Sequence, residues 1–157
     1  MALTLQSALS SHEVPNVGTG NVAEISRGIA RGALLGARGN SGVIFSQFLK
    51  GFASALSDCV ECDGSSMKKA LKRAADDAYK AVAVPVEGTM LTVMKSAADA
   101  GKASETSLIT IWQDAYRAAE AALARTPEQL PVLREAGVVD AGGQGFVAFM
   151  AGAQAFL

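Results

Sequence analysis

The stretch "GARGNSGVIFSQFLKGF", Gly36 to Phe52, decides the fold. A glycine-studded turn runs directly into an apolar segment. Ile44, Phe48, Phe52 and Leu56 recur at steps of four, which places them on one face of a helix. The spacing predicts a helix from Val43 to Leu56, with Gly39-Asn40-Ser41-Gly42 as the corner before it.

The same period runs outward in both directions. Val22, Ile25 and Ile29 form one stripe, and Met67, Leu71, Ala74, Ala78 and Val82 form another. Leu91, Met94 and Ala98 give a shorter one, and Leu108, Trp112, Ala115, Ala119 and Ala122 give the cleanest. No useful stretch alternates with period two; the strand-like "AVAVPV" is interrupted by Pro85. An all-α domain of about six to eight helices is predicted.

Turn chemistry marks the joints. "TPEQ" at Thr126 to Gln129 reads as a helix start, with Thr126 as cap and proline at the first helical position. "EAGVVDAGGQG" at Glu135 to Gly145 reads as a glycine-rich loop before the last helix. "VPVEGT" at Val84 to Thr89 reads as an interhelical turn with Thr89 a candidate cap, and "NVGTGN" at Asn16 to Asn21 as another turn. Met1 opens an amphipathic segment without a cap, and the chain stops at "AQAFL" inside an apolar run. Both ends therefore read as cut from a longer protein.

Composition narrows the class. The chain has 157 residues, enough for one domain with a core, taken here as 1–157. Half the residues are hydrophobic and 18% are charged, which argues against disorder. A net charge of −1 gives no drive toward nucleic acid or an anionic membrane. The apolar run "GGQGFVAFMAGAQAFL" is short of the roughly 20 residues of a membrane span and reads as a buried helix. The N-terminus lacks the basic region of a secretory signal, so no transmembrane segment and a cytoplasmic location are expected. Cys59 and Cys62 form a single C-x-x-C in a polar stretch, and His12 is the one histidine. Two thiols fall short of the four ligands of a structural zinc site, so no metal is expected there.

A loop that holds a phosphate needs free backbone N–H groups at a helix start, glycine for close approach and often a hydroxyl. "GARGNSG" meets those terms without being a Walker A loop. An interhelical corner capped by Asn40 or Ser41 meets them equally. Asp140 is the one acid inside a glycine-rich loop; it serves either as a cap or as a nucleotide contact. Asp76, Asp77 and Asp114 read as surface charges on polar helix faces.

Taken together, "GARGNSGVIFSQFLKGF", "PVEGTMLTV" and "TPEQLPVLREAGVVDAGGQGF" resemble the N-terminal nucleotide-binding domain of bacterial fatty-acid kinase, a relative of the dihydroxyacetone kinase L subunit. The resemblance covers nearly the whole chain in order. It implies an antiparallel helical barrel of about eight helices, with ATP and Mg²⁺ held in loops at one end. It also implies transfer of the γ-phosphoryl of ATP to a fatty-acid carboxylate on a DegV-like carrier protein. By position, Gly39, Asn40, Ser41 and Gly42 match the loop that contacts phosphates. Thr89 and Met90 match a segment lining the nucleotide pocket, and Asp140, Ala141 and Gly142 match the loop that closes over it. Arg125 matches an arginine near the nucleotide. No catalytic residue is assigned within the chain. The family's Asp-Gly-Asp-Thr-Gly-Thr-Asn loop, whose aspartates bind Mg²⁺, would precede Leu3 to Leu9, so the metal ligands are expected upstream of Met1 together with a first helix. This segment alone is then expected to be inactive, and exposed apolar surface points to a homodimer. A dihydroxyacetone-type (glycerone) kinase subunit and a non-catalytic helical interaction module are the alternatives.

Overall fold

The computed structural model describes residues 1–11, 20–103 and 107–156. Among these residues the regular secondary structure is entirely helical, in nine segments, as the 3.6-residue spacing requires. Most of the Asn16–Asn21 turn and His12 lie outside the described residues. None of the described helices is long and apolar enough to cross a membrane. The chain forms two compact units, Met1–Val82 and Ala83–Leu157.

The first unit holds α1 (Ala2–Leu9), α2 (Val22–Leu35), α3 (Gly39–Ala55) and α4 (Gly64–Lys80). Helix α2 opens on a capping box: the Asn21 side chain accepts from the Glu24 N–H, and the Glu24 carboxylate accepts from the Asn21 N–H. Its next two N–H groups donate to the carbonyls of Val60 and Cys59, at 3.1 and 3.2 Å. The C-x-x-C loop between α3 and α4 therefore completes the start of α2. Burial pushes the Cys62 thiol up, and the neighbouring Cys59 and Asp63 push it the same way, so it stays protonated and unreactive near neutral pH.

The packing face of α2 differs from the Val22–Ile25–Ile29 stripe. Those three are half-buried, whereas Ala23, Gly28, Ala30, Gly32 and Ala33 are buried. The helices approach too closely for large side chains at the crossing. A Cβ on Gly32 would lie 2.6 Å from the Ser7 carbonyl of α1. Helices α3 and α4 meet in the same way: a Cβ on Gly51 would lie 2.7 Å from the Arg73 carbonyl and 2.9 Å from the Ala74 Cα. Around these crossings Phe45, Phe48, Leu49, Leu56, Met67 and Leu71 supply the bulk of the core.

The second unit holds α5 (Met90–Ala103), α6 (Leu108–Ala124), two short segments α7 (Thr126–Gln129) and α8 (Pro131–Ala136), and α9 (Ala141–Gln154). Val93, Met94, Ile111, Phe146 and Met150 are fully buried. The buried Trp112 indole donates to the Met150 carbonyl at 3.3 Å and ties α6 to α9. Helix α9 is a half-buried helix and not the wholly buried one its apolar sequence suggests. Gly143, Phe146 and Met150 face the core while Ala148 and Gly152 are exposed. Its glycines extend the apolar look of the sequence without adding side chains to bury.

Asp76 and Asp114 lie on the surface as read, whereas Asp77, packed beside the Gly51 crossing, keeps only 16% of its side chain exposed. Asp76 pairs with Lys72, Asp77 with Arg73 at 3.0 Å, and Asp114 with Arg117 at 3.9 Å, all one helical turn apart.

Two outcomes follow. Gly51→Leu forces side-chain atoms into the α4 backbone and should lower stability by about 1–3 kcal/mol, read as a reduced urea midpoint at unchanged slope. Asp63 caps α4 by accepting from the Ser66 N–H at 2.7 Å, and that bond lowers its pKa. A depressed carboxylate contributes stability in full above its unfolded value of about 3.9 and loses it as pH falls through the folded value. Asp63→Asn, which still caps, should flatten the stability–pH curve below pH ~4 and leave neutral-pH stability nearly unchanged.

Candidate functional site

Helix α3 begins at Gly39, four residues before the predicted Val43. The Gly-Asn-Ser-Gly corner is thus the first turn of the helix. Gly39 takes φ +63°, and a Cβ there would meet nothing within 4 Å, so its outer side is open space. The cap position falls to Arg38, in extended backbone with no side-chain cap bond. Neither Asn40 nor Ser41 caps, because both lie inside the helix. The first N–H groups of α3 are thereby left without a side-chain acceptor, and they point with the positive end of the helix dipole.

Behind this turn sits Thr4 of α1. It is completely buried, and its hydroxyl has no hydrogen-bond partner among the described residues. A Cβ on Gly42 would come within 2.8 Å of that oxygen. Glycine at 42 lets the threonine stand directly against the α3 backbone. Thr4 carries no motif of its own. Its one sequence signal is the i,i+4 spacing to the buried Ala8, which puts a polar side chain on a core face.

The second unit gathers the remaining candidate residues around the α6–α7 joint. Thr126 is fully buried, and its hydroxyl donates to the Leu123 carbonyl at 2.8 Å while accepting the Asp140 N–H at 3.1 Å. Thr126 therefore locks the joint and does not cap α7, whose cap position is the neighbouring Arg125. Gly88, at φ +79°, packs on the same segment; its Cβ position lies 2.9 Å from the Gln129 Cβ and 3.1 Å from the Thr126 carbonyl. Thr89 and Met90 follow at the start of α5. The Thr89 hydroxyl donates to the Val86 carbonyl at 2.7 Å, and Thr92 bonds both Gly88 and Glu87. So Thr89–Met90, Arg125 and Asp140 converge within this unit, with Thr126 and Gly88 as the residues that hold them.

Asp140 is the cap of α9, its Oδ2 accepting from the Gly143 N–H at 2.6 Å. The glycine run after it is helix from Ala141 onward, where a loop to Gly145 was predicted. A carboxylate capping that turn closes the space a loop would need. Gly143 is buried against Val93 and Leu123, its Cβ position 3.0 and 3.1 Å from their side chains. Arg125 and Ala141 are exposed, and Gly142 is half-buried. Among the described residues no group of three His, Cys, Asp or Glu is placed to hold a metal ion.

The DAK2 domain matches residues 1–155. The chain belongs to the DAK2 domain family. It is 41% identical over 148 residues to protein YloV of Bacillus subtilis, covering 92% of this chain and 27% of that protein. It is 42% identical over 155 residues to the uncharacterized protein SSP1546 of Staphylococcus saprophyticus, covering 97% and 28%. The uncharacterized protein SH1689 of Staphylococcus haemolyticus is 41% identical over 150 residues, covering 94% and 27%. This DAK2 chain thus spans little more than a quarter of the length of these relatives. The family match fits the all-helical architecture and a kinase-related role.

The Thr4–Gly42 contact gives a direct measurement. Gly42→Ala should destabilise by about 1–3 kcal/mol, as overpacking against the Thr4 oxygen outweighs the better helix propensity of alanine. Thr4→Ala removes that oxygen, so the double variant should recover most of the loss, with a coupling energy on the order of 1 kcal/mol in a double-mutant cycle. Strict additivity would place the two groups out of contact.

Proposed function

We propose that this chain is the nucleotide-binding part of an ATP-dependent phosphotransferase of the fatty-acid kinase type. The parent protein would transfer the γ-phosphoryl of ATP to a fatty-acid carboxylate presented by a DegV-like carrier, giving an acyl phosphate. One observation carries the reading. The first turn of α3 leaves its N–H groups uncapped and open on the Gly39 side, with a buried unpartnered hydroxyl behind it. Membership of the DAK2 family supports the kinase-related part.

The chemistry asked of these residues is binding and orientation. The N–H groups of Gly39 to Gly42 would donate to phosphate oxygens at a helix start, where the dipole favours negative charge. Gly39 admits the phosphate to the main chain because no Cβ stands in the way. Thr4 fixes the turn from behind, so the donors are set before the ligand arrives. Within the second unit, Thr89, Met90, Arg125 and the Asp140–Gly142 turn are nucleotide contacts by resemblance, and Thr126 holds three of their segments in register. Bound Mg²⁺ would neutralise phosphate charge during transfer; among the described residues no group of three His, Cys, Asp or Glu is placed to hold it. The 157 residues alone are therefore proposed to bind nucleotide and to transfer nothing.

Calorimetry tests the binding half: ATP should bind the chain at least about tenfold tighter than adenosine, and Gly42→Ala should weaken ATP without altering adenosine. Equal affinity for the two ligands would remove the phosphate role from α3. A phosphotransfer assay with carrier and oleate tests the other half. Activity should appear only in a longer protein that carries an aspartate-rich loop ahead of Met1; turnover by the 157 residues alone would sink that part.

A further inference from the structure

The turn that opens α3 adjoins a hollow in the first unit. A cavity of about 450 Å³ lies between α1 and the end of α2. Ser7, Ser10 and Ser11 line it from α1 and the residues just after it, and Leu35 and Arg38 line it from the other side. Arg38 immediately precedes Gly39, and Ser7 follows Thr4 by about one helical turn. The cavity therefore neighbours the N–H groups assigned above to phosphate.

Two glycines of α2 give the cavity its walls. A Cβ on Gly32 would lie 2.8 Å from the Ser11 Cβ, and a Cβ on Gly36 would lie 2.1 Å from both the Cβ and the Oγ of Ser7. The Ser7 hydroxyl stands where a side chain of residue 36 would be. Ser7 is half-buried and Ser10 exposed, and neither hydroxyl makes a hydrogen bond with the described residues. Arg38 is exposed, and its Nη1 donates to the Ala37 carbonyl at 3.0 Å. No described acid pairs with Arg38 or lines the cavity. A guanidinium carries further donors in the same plane, so much of its fork is open to a ligand. Leu35, in the same wall, is 73% exposed.

We propose that this cavity holds the carboxylate of an aliphatic acid, gripped by Arg38. The inference deepens the function proposed above and rests on it, since it sets the phosphoryl acceptor beside the turn that takes the phosphates. A single guanidinium matches a carboxylate monoanion through two parallel N–H···O bonds. The hydroxyls of Ser7 and Ser10 supply further donors. Leu35 offers the first methylenes of the acid an apolar contact. The volume suits a small ligand. Transfer there would form a bond from a carboxylate oxygen to the γ-phosphorus and break the bond from that phosphorus to the β–γ bridging oxygen, releasing ADP.

Hexanoate is the probe, followed by amide NMR shifts on the 157-residue chain, with hexanol and glycerol as comparisons. Hexanoate should give saturable shifts at Ser7, Gly32, Leu35 and Gly36, and the two neutral ligands should bind at least about tenfold more weakly. Arg38→Gln should weaken hexanoate about tenfold, with ATP affinity and melting temperature unchanged. Leu35→Glu, which sets a like charge beside the carboxylate, should weaken hexanoate independently. Equal binding of hexanol overturns the carboxylate assignment, and equal binding of glycerol overturns it in favour of a polyol site. A loss on Arg38→Gln confined to ATP gives the guanidinium to the phosphates and overturns its role here. ATP bound without any hexanoate shift sinks this inference and leaves the nucleotide reading standing. Hexanoate bound without ATP removes the acceptor role, because the nucleotide reading has then failed.

Discussion

Helix α3 has no side chain where its neighbours cross it. At Gly42 the space of a Cβ is taken by the Thr4 hydroxyl, and at Gly51 by the backbone of α4. Helices brought this close gain dispersion contacts along their whole length, and the gain is lost if either glycine grows. The constraint also reaches the candidate site. The turn that opens α3 is held from behind by α1, so its N–H groups have a fixed direction. A corner suspended between two flexible segments would not offer that.

The second unit reaches a similar end by a different device. There a polar side chain, Thr126, is buried and fully used: its hydroxyl serves the end of α6 and the start of α9 at once. A buried hydroxyl with both its roles filled costs little, while losing one partner strands the other. Thr4 and Thr126 are thus opposites, one without a partner among the described residues and one with two. The contrast marks Thr126 as structural and leaves Thr4 as the group with an interaction still to make.

Much of this was legible in the sequence. The period of 3.6 named α2 to α6, and the stripes on α4, α5 and α6 are the faces that pack, because large apolar residues there meet ordinary helix spacing. The stripe on α2 failed for a physical reason: where helices touch at glycine and alanine, hydropathy no longer ranks the buried face. The glycine corners failed likewise at their boundaries. Glycine reads as a helix breaker, yet Gly39 opens α3 by taking a positive φ, and from Ala141 to Gly145 the turn is helical, with Gly143 packed on Val93 and Leu123, contacts that propensity does not contain. Site positions came from motif and resemblance, whereas Thr4 carries no motif, and the motifs that contain Gly88 and Thr126 do not show that these two residues hold the segments together. Their roles depend on partners distant in sequence.

The single tryptophan has an experimental consequence. Trp112 is buried in the second unit, and its indole N–H is bonded to a carbonyl of α9. The first unit contains no indole at all. Tryptophan emission, excited selectively over tyrosine, therefore observes only one half of the molecule, while circular dichroism observes the helices of both. Melting the chain under the two probes together asks whether the halves come apart in one cooperative event or in two, with no label added and no residue changed.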